Sequence, residues 1–291
     1  MQIIIGFIIL TVCIITGYVG HHGHLMALWQ PTEFIIIGGA AFGAVVIGSG
    51  FHGVKILIHA GKALFSLKNV TRGQYLALLK LLYSLFVMSK RDGVLIFETH
   101  VEKPHESVIF MAYPEILGNP KLLSFICDNF RVIISGGGTP ENLGALMDID
   151  LDSRNDEEMH AGHIFASIAD AMPAFGIVAA VLGVVVTMQA INGPPAEIGA
   201  KVGAALVGTF LGVLMAYGIF SPLNQAWSGK VKNEENLLLC IRNSLLCFAR
   251  GDSPIFCIEA ARRQIPPEAR PTFEEVEIAV KGPGGEAPAT T

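Results

Sequence analysis

Residues 171–222 decide the fold, and they read AMPAFGIVAAVLGVVVTMQAINGPPAEIGAKVGAALVGTFLGVLMAYGIFSP. Two uncharged apolar runs, 171–192 and 202–221, are joined by a short turn that contains Gly-Pro-Pro. Each run has about 20 residues, the length that an α-helix needs to cross the hydrocarbon core. The stretch therefore predicts a membrane hairpin, with Pro173 in the first turn of one span and Pro222 just past the end of the other.

Small residues recur at every third or fourth position of both runs. This spacing leaves a smooth stripe along a helix, so that a second backbone can approach closely. The predicted packing residues are Gly176, Ala180 and Gly183 on the first run and Ala204, Gly208, Gly212 and Ala216 on the second.

The composition places the whole chain among membrane proteins. Of its 291 residues, 52% are hydrophobic and only 15% are charged, whereas soluble domains are about a quarter charged. The net charge of −5 argues against a nucleic-acid partner, because nucleic acids bind a basic face. The five cysteines show no metal-ligand spacing, and we predict free thiols.

Two further apolar runs precede the hairpin. Residues 2–19 lack the basic start and the cleavage site of a signal peptide, so we predict a retained span. Residues 34–51 form another span. The loop 20–33 between them carries three histidines, which we interpret as a solvated loop tip because no further metal ligands accompany them.

The predicted fold is an all-α integral membrane protein with four transmembrane helices in two hairpins and a large helical cytoplasmic segment between spans 2 and 3. Lys and Arg are absent from the connectors 20–33 and 193–200 and frequent elsewhere outside the spans, which predicts that both termini are cytoplasmic. The expected domains are a transmembrane hairpin at 1–52, a cytoplasmic segment at 53–170, a transmembrane hairpin at 171–222, cytoplasmic helices at 223–281 and a disordered tail at 282–291.

The cytoplasmic parts predict helices. Residues 74–89 are nearly apolar enough for a span, but Lys80 lies in their middle, so we predict an amphipathic cytoplasmic helix. A second helix is predicted at 121–134, and Thr139 followed by Pro140 predicts the start of the next. After Pro222, a leucine-rich helix is predicted at 231–249.

No Asp, Glu, Lys, Arg or His lies within the four predicted spans, and Asp170 and Lys201 lie at their edges. An ion path needs an ionisable or densely polar group at membrane depth. The chain is therefore either a structural membrane protein or a protein whose spans surround a partner helix that supplies such a group. The polar candidates of the central hairpin are Thr187, Gln189, Thr209 and Tyr217, and a lone Thr more often bonds its own helix backbone.

Enzyme motifs are absent: the chain has no phosphate-binding loop, nucleophile elbow or zinc-protease helix. We predict no enzymatic activity, no metal and no cofactor.

Several stretches carry a resemblance to a known family. They are PAFGIVAAVLGVV at 173–185, VGTFLGVLMAYGIFSPL at 207–223, QPTEFIIIGGAAFGA at 30–44, YPEILGNPKLL at 113–123 and RVIISGGG at 131–138. On these stretches the chain resembles the MotA family of ion-conducting flagellar stator subunits, from Met1 to about Phe273.

The resemblance implies a ring of five copies around a dimer of MotB, a single-span protein that carries the proton-accepting aspartate. It also implies that proton flow across the bacterial inner membrane drives torque on the rotor protein FliG. The family's functional prolines fall on Pro173 and Pro222, and Thr209 and Tyr217 would face the partner aspartate. Thr187 is a further candidate for the ion path.

The same resemblance bears on the ion and on the rotor contact. Sodium-driven relatives place a threonine where this chain has Ala180, so protons are favoured over sodium, which needs several oxygen ligands. Glu98 matches a rotor-facing glutamate of the family. The family's arginine position holds Lys90, with Arg91 beside it, and either residue can supply the charge; a solvated helix end is the plainer interpretation.

Two other functions remain open from the sequence. One is an ExbB/TolQ-type energiser of outer-membrane transport, although those proteins usually have three spans. The other is a non-conducting membrane scaffold, which uncharged spans also fit.

Overall fold

The computed structural model describes residues 2–65, 70–136 and 139–281, and all regular structure in these residues is helical. The helices, in chain order, are α1 (Gln2–Gly20), α2 (Leu25–Leu28), α3 (Pro31–Phe65), α4 (Arg72–Asp92), α5 (Phe97–Glu102), α6 (Val108–Met111), α7 (Pro114–Leu117), α8 (Pro120–Ile134), α9 (Pro140–Gln189), α10 (Pro195–Met215), α11 (Ser221–Ala249), α12 (Pro254–Gln264) and α13 (Phe273–Lys281). A 3₁₀ turn, Val94–Ile96, precedes α5, and a π-helical segment, Ala216–Phe220, joins α10 to α11.

The chain forms two compact units. Unit 1 contains the described parts of Met1–Lys68 and Glu157–Gly229, and unit 2 contains those of Asn69–Asp156 and Lys230–Thr291. Residues of α9 and of α11 belong to both units.

Unit 1 holds the membrane spans. Four helical stretches of the described residues are long and apolar enough to cross a bilayer, which confirms the predicted number of spans. No residue of α1 is buried, and large apolar side chains are exposed along α1, α3, α9 and α10. Lipid tails, or other helices in the bilayer, are the surroundings that such surfaces require.

Unit 2 has a conventional apolar core. The nearly span-like α4 packs its leucines into this core, where Leu78, Leu81 and Leu82 are fully buried; the prediction of a non-spanning helix here is confirmed. Aromatic rings join four elements of the unit: the Phe86 ring stacks on that of Phe248 with centroids 4.7 Å apart, and the Phe97 ring lies 4.4 Å from that of Phe130.

Local signals set several helix ends in unit 2. Thr71 and Gln74 form a capping box at the start of α4, with the Thr71 hydroxyl accepting from the Gln74 amide at 3.3 Å. The helix ends at Asp92, and the capping residue Gly93 has a φ of 83°, a positive value that glycine adopts most easily. As predicted, Thr139 caps α9 and accepts from the Asn142 amide at 3.4 Å, with Pro140 as the first helical residue.

The structure corrects three boundaries. Pro173 lies inside the 50-residue α9 and not in the first turn of a helix. Pro222 is the second residue of α11 and not a residue beyond a helix end, so the helix predicted at 231–249 is the later part of α11. The loop predicted at 20–33 contains α2 and ends early, because α3 begins at Pro31. The tail predicted to be disordered, 282–291, lies outside the described residues.

Candidate functional site

The backbones of α9 and α10 approach each other closely through glycines. A Cβ atom added to Gly212 would lie 2.7 Å from the carbonyl oxygen of Met172 and 2.8 Å from the Cα of Gly176. One added to Gly176 would lie 2.9 Å from the carbonyl oxygen of Gly208. These are backbone atoms, which cannot move aside as a flexible side chain can, so larger residues would separate the helices.

The contact continues along the spans through alanines. A Cβ atom added to Gly183 would lie 2.6 Å from the Cβ of Ala205, and one added to Gly208 would lie 3.1 Å from the Cβ of Ala179. Ala179 and Ala205 are buried, whereas their sequence neighbours Ala180 and Ala204, singled out from the spacing, are half-buried. Ala216 is fully buried in the π-helical segment. We call the contact through Gly176, Ala179, Gly183, Ala205, Gly208 and Gly212 the α9–α10 seam.

Both prolines stand where a helix is locally weakened. Pro173 has no N–H, so the carbonyl of Ala169 loses its usual partner within α9. The preceding residue, Met172, presents its carbonyl to Gly212 across the seam. Pro222 lies two residues after the π-helical segment Ala216–Phe220, and such segments are frequent at functional sites.

The polar side chains of the hairpin divide into two groups. Thr187 is fully buried and its hydroxyl donates to the carbonyl of Gly183 at 2.8 Å, so it bonds its own helix. Thr209 is half-buried beside Gly208 on α10, and Tyr217 is 69% exposed on the π-helical segment. Thr209 and Tyr217 therefore remain accessible to another helix.

A buried acid in the membrane unit was missed by the sequence analysis. Glu33 lies in the first turn of α3 and is 6% exposed, and its Oε2 atom has no hydrogen-bond partner. A Cβ atom added to Gly208 would lie 2.6 Å from that oxygen. The signal that could have placed Glu33 in a span was Pro31, since proline favours the first position of a helix.

A cavity of about 210 Å³ lies between α3 and α9 in unit 1. Its polar lining consists of Ser49, His160, His163 and Ser167. It lies next to Gly50, where a φ of 63° kinks α3. The remaining wall is apolar and is formed by Ala41, Ala44, Val45, Gly48, Ile164, Ile168 and Ala171.

The charged candidates of unit 2 lie on two neighbouring helices. Lys90 and Arg91 are exposed in the last turn of α4, and Glu98 is exposed in the first turn of α5, beyond the 3₁₀ turn. Arg91 donates to Asp92 at 2.8 Å, and this hydrogen bond lowers the pKa of Asp92. We call the exposed surface of Lys90, Arg91 and Glu98 the α4–α5 corner. Arg91 is partly engaged by Asp92, while Lys90 forms no ion pair with any residue that the structure describes.

Comparisons with known proteins identify the family. Residues 4–93 match the family described as Motility protein A N-terminal, and residues 121–238 match the MotA/TolQ/ExbB proton channel family. Motility protein A of Salmonella typhimurium is 38% identical over 97% of this chain and 95% of its own length. The chain belongs to the motility protein A family. Chemotaxis protein LafT of Vibrio parahaemolyticus is 35% identical, over 95% of this chain and 97% of its own.

Solved structures share the fold of this motility protein A family member. The C. jejuni MotAB structure aligns with a TM-score of 0.77 at 17% identity, covering 92% of this chain and 96% of that one. The flagellar MotAB stator complex of Bacillus subtilis gives a TM-score of 0.72 at 22% identity with the same coverage.

In this family member, the structure brings some predicted site residues together and leaves others apart. Pro173, Gly176, Gly208, Thr209 and Gly212 lie at or beside the α9–α10 seam. Lys90, Arg91 and Glu98 belong to unit 2. Among the residues that the structure describes, no group of three or more His, Cys, Asp or Glu side chains could hold a metal ion.

Proposed function

We propose that this chain is the stator subunit of a bacterial flagellar motor and that, with a MotB-type partner, it forms a complex that couples proton flow to torque on the rotor protein FliG. Relatives named Motility protein A, at up to 38% identity over nearly the whole chain, support this function. The match of residues 4–93 to the N-terminal region of motility protein A favours a stator over an ExbB/TolQ-type energiser.

The observation that carries the proposal is the α9–α10 seam, in two spans that offer no unpaired ionisable side chain along the seam. Between Pro173 and Gln189, α9 holds no ionisable side chain, and α10 holds only Glu197 and Lys201, which pair with each other at 2.9 Å. A proton crossing beside these two helices therefore needs a carboxylate from outside them. The MotB-type partner would supply it, facing Thr209 and Tyr217.

The prolines would convert protonation of that partner into movement. Pro173 interrupts the hydrogen-bond ladder of α9 beside the seam, and Pro222 follows the π-helical segment. Helices bend most readily at such positions. Since α9 and α11 each continue from unit 1 into unit 2, a bend at either proline would move the part of that helix that belongs to unit 2. The α4–α5 corner of unit 2 would contact FliG.

The proposal also covers the ion that the complex conducts, the number of copies that assemble and the membrane that holds them. Ala180, which offers no side-chain oxygen, favours protons over sodium. Five copies would surround the partner dimer in the bacterial inner membrane, in contact with lipid and with both termini in the cytoplasm, as the distribution of Lys and Arg indicates.

A complementation experiment tests the proposal. The chain and a single-span MotB-type protein would be expressed together in a strain that lacks its own stator. Swimming should be restored only when both are present, and its speed should follow the proton-motive force and not external sodium. Speed that tracks sodium at constant proton-motive force would overturn the choice of ion, and no swimming with any MotB-type partner would overturn the function.

A further inference from the structure

Glu33 is the only Asp, Glu, Lys, Arg or His with a buried side chain among the residues that the structure describes. It lies on the same face of α3 as Ile37 and Ala41, which are buried in the apolar core of unit 1. Its Oε2 atom is enclosed and accepts no hydrogen bond. The carboxyl group therefore occupies an apolar position with no donor for that oxygen.

The carboxyl group of Glu33 fits in this apolar position because residue 208 is glycine. A Cβ atom there would lie 2.6 Å from Oε2 of Glu33, so any larger residue would fill the space that the carboxyl group occupies. Gly208 also contacts Ala179 of α9. Glu33 thus lies where α3 meets the α9–α10 seam, next to Thr209.

Among the contacts of the described residues, no ion pair compensates an ionised Glu33. On α10, Glu197 and Lys201 pair with each other. On α9, no titratable side chain lies between Pro173 and Gln189. Ahead of α2, His24 accepts through its backbone carbonyl from Tyr18 of α1, and no ion pair joins it to Glu33 among the described contacts. Burying an unpaired carboxylate costs far more than burying a neutral carboxylic acid.

We propose that Glu33 is a proton-binding site carried by this chain itself. With a proton on Oε2, the neutral carboxyl group lies against Gly208 and holds α3 to α10. When that O–H bond breaks, the proton passes to water and the carboxylate leaves the apolar position. Protonation of Glu33 thereby controls how firmly α3 holds the seam. The consequence for torque depends on the proposed stator function, whereas the protonation itself does not.

Infrared spectroscopy tests the protonation directly. The full chain with its MotB-type partner in lipid nanodiscs should show, at neutral pH, a carboxylic-acid C=O band that disappears in Glu33→Gln. Glu197→Gln is the matched control, because it removes a glutamate that is paired and half exposed, and it should leave the band unchanged. Identical wild-type and Glu33→Gln spectra at every pH would overturn the proposal.

Gly208→Ala provides a second, independent arm. The added Cβ atom should displace the carboxyl group into water, so the band should be lost at neutral pH although Glu33 is present. A complex that assembles and keeps the band would overturn the role of Gly208. If this variant fails to assemble, the spectra of Glu33→Gln and Glu197→Gln still decide.

Measurements of swimming speed distinguish a failure of the Glu33 proposal from a failure of the proposed stator function. The ratio of swimming speeds of Glu33→Gln and Glu197→Gln should change with external pH, because only the first variant has lost a titrating group at α3. A ratio that stays constant over the pH range would overturn the control of α3. If wild type itself drives no swimming with any partner, the stator function fails, while the infrared spectra still decide whether Glu33 binds a proton.

Discussion

Single residues at the α9–α10 seam set how closely two membrane helices approach. At Gly212 the nearest atoms to an added Cβ are backbone atoms of the facing helix, at 2.7–2.8 Å. At Gly203, on the same helix, nothing lies within 4 Å of an added Cβ. The two glycines therefore form a natural pair in which only one is required by packing.

We expect Gly212→Ala to destabilise the assembled complex by about 1–3 kcal/mol, because the helices must separate to admit the methyl group. Gly203→Ala should be neutral or stabilising by up to about 1 kcal/mol, since alanine has the higher helix propensity. Thermal unfolding of the two purified variants measures this difference. Equal stabilities would show that the seam does not depend on backbone contact.

His100 gives unit 2 a pH-dependent stability. Its ring lies 2.8 Å from the Ser107 hydroxyl, and burial lowers its pKa below the ordinary 6.5. The unfolded chain therefore takes up the proton at a higher pH than the folded one. Stability is complete above 6.5 and falls as the pH decreases towards the folded pKa.

We expect His100→Gln to flatten this decline, as measured by the melting temperature of the complex over a pH series. His105→Gln, a change at an exposed histidine of the same segment, is the control and should leave the slope unchanged. A wild-type slope in His100→Gln would contradict the assignment.

The sequence predicted some of these residues for the right reason and missed others. Small-residue spacing indicated Gly176, Gly208 and Gly212, since spacing alone defines a helix face. The burial of Glu33 could not be predicted in this way. It depends on a glycine in another helix, far along the chain, that leaves room for a carboxyl group.

At the scale of helices, the proposed coupling between proton flow and torque depends on the continuity of α9 and α11. Apolar length was enough to predict the spans, and α1 ends within one residue of its predicted range. The non-spanning α8 begins within one residue of its predicted range. The continuity of α9 was not predictable from hydropathy, because its polar first part and its apolar second part resemble separate helices. Because proline is common at the start of a helix, the sequence predicted Pro173 in the first turn of a span, whereas it lies in the interior of α9.

We expect Pro173→Ala to leave the complex assembled and to abolish swimming. Alanine restores the N–H that completes the ladder of α9, and the helix loses its preferred bend. Co-purification with the partner measures assembly, and tethered-cell rotation measures torque. Normal rotation would exclude a hinge at this proline.

The α4–α5 corner should act through several charges together. Exposed ion pairs each contribute about 0–1 kcal/mol, so Glu98→Lys should reduce torque only in part, and Glu98→Lys with Lys90→Glu should reduce it further. Glu115→Lys, an exposed reversal on α7, is the control. Complementary charge changes in FliG should restore swimming; failure of every such change would leave Lys90 and Glu98 as ordinary surface charges.

At the scale of the whole molecule, we expect the spans to form a proton path only together with the MotB-type partner. We expect liposomes that contain this chain alone to remain tight to protons, because one carboxyl group at the start of α3 and the hydroxyls of Thr209 and Tyr217 do not form a continuous path across the bilayer. Liposomes with the partner in an unblocked form should leak protons, as a pH-sensitive dye in the lumen would show. Fast, proton-selective conduction by this chain alone would refute the hypothesis that its spans surround a partner helix that completes the path.

The exposure of α1 has a practical consequence for anyone who purifies this protein. Because α1 buries none of its residues, it depends on lipid or neighbouring helices and on a few contacts such as that of Leu10 with Gly218. A detergent micelle that strips this lipid would loosen α1 while leaving the aromatic core of unit 2 intact. Amide deuteration of α1 should therefore report the loss of native surroundings before any melting curve does.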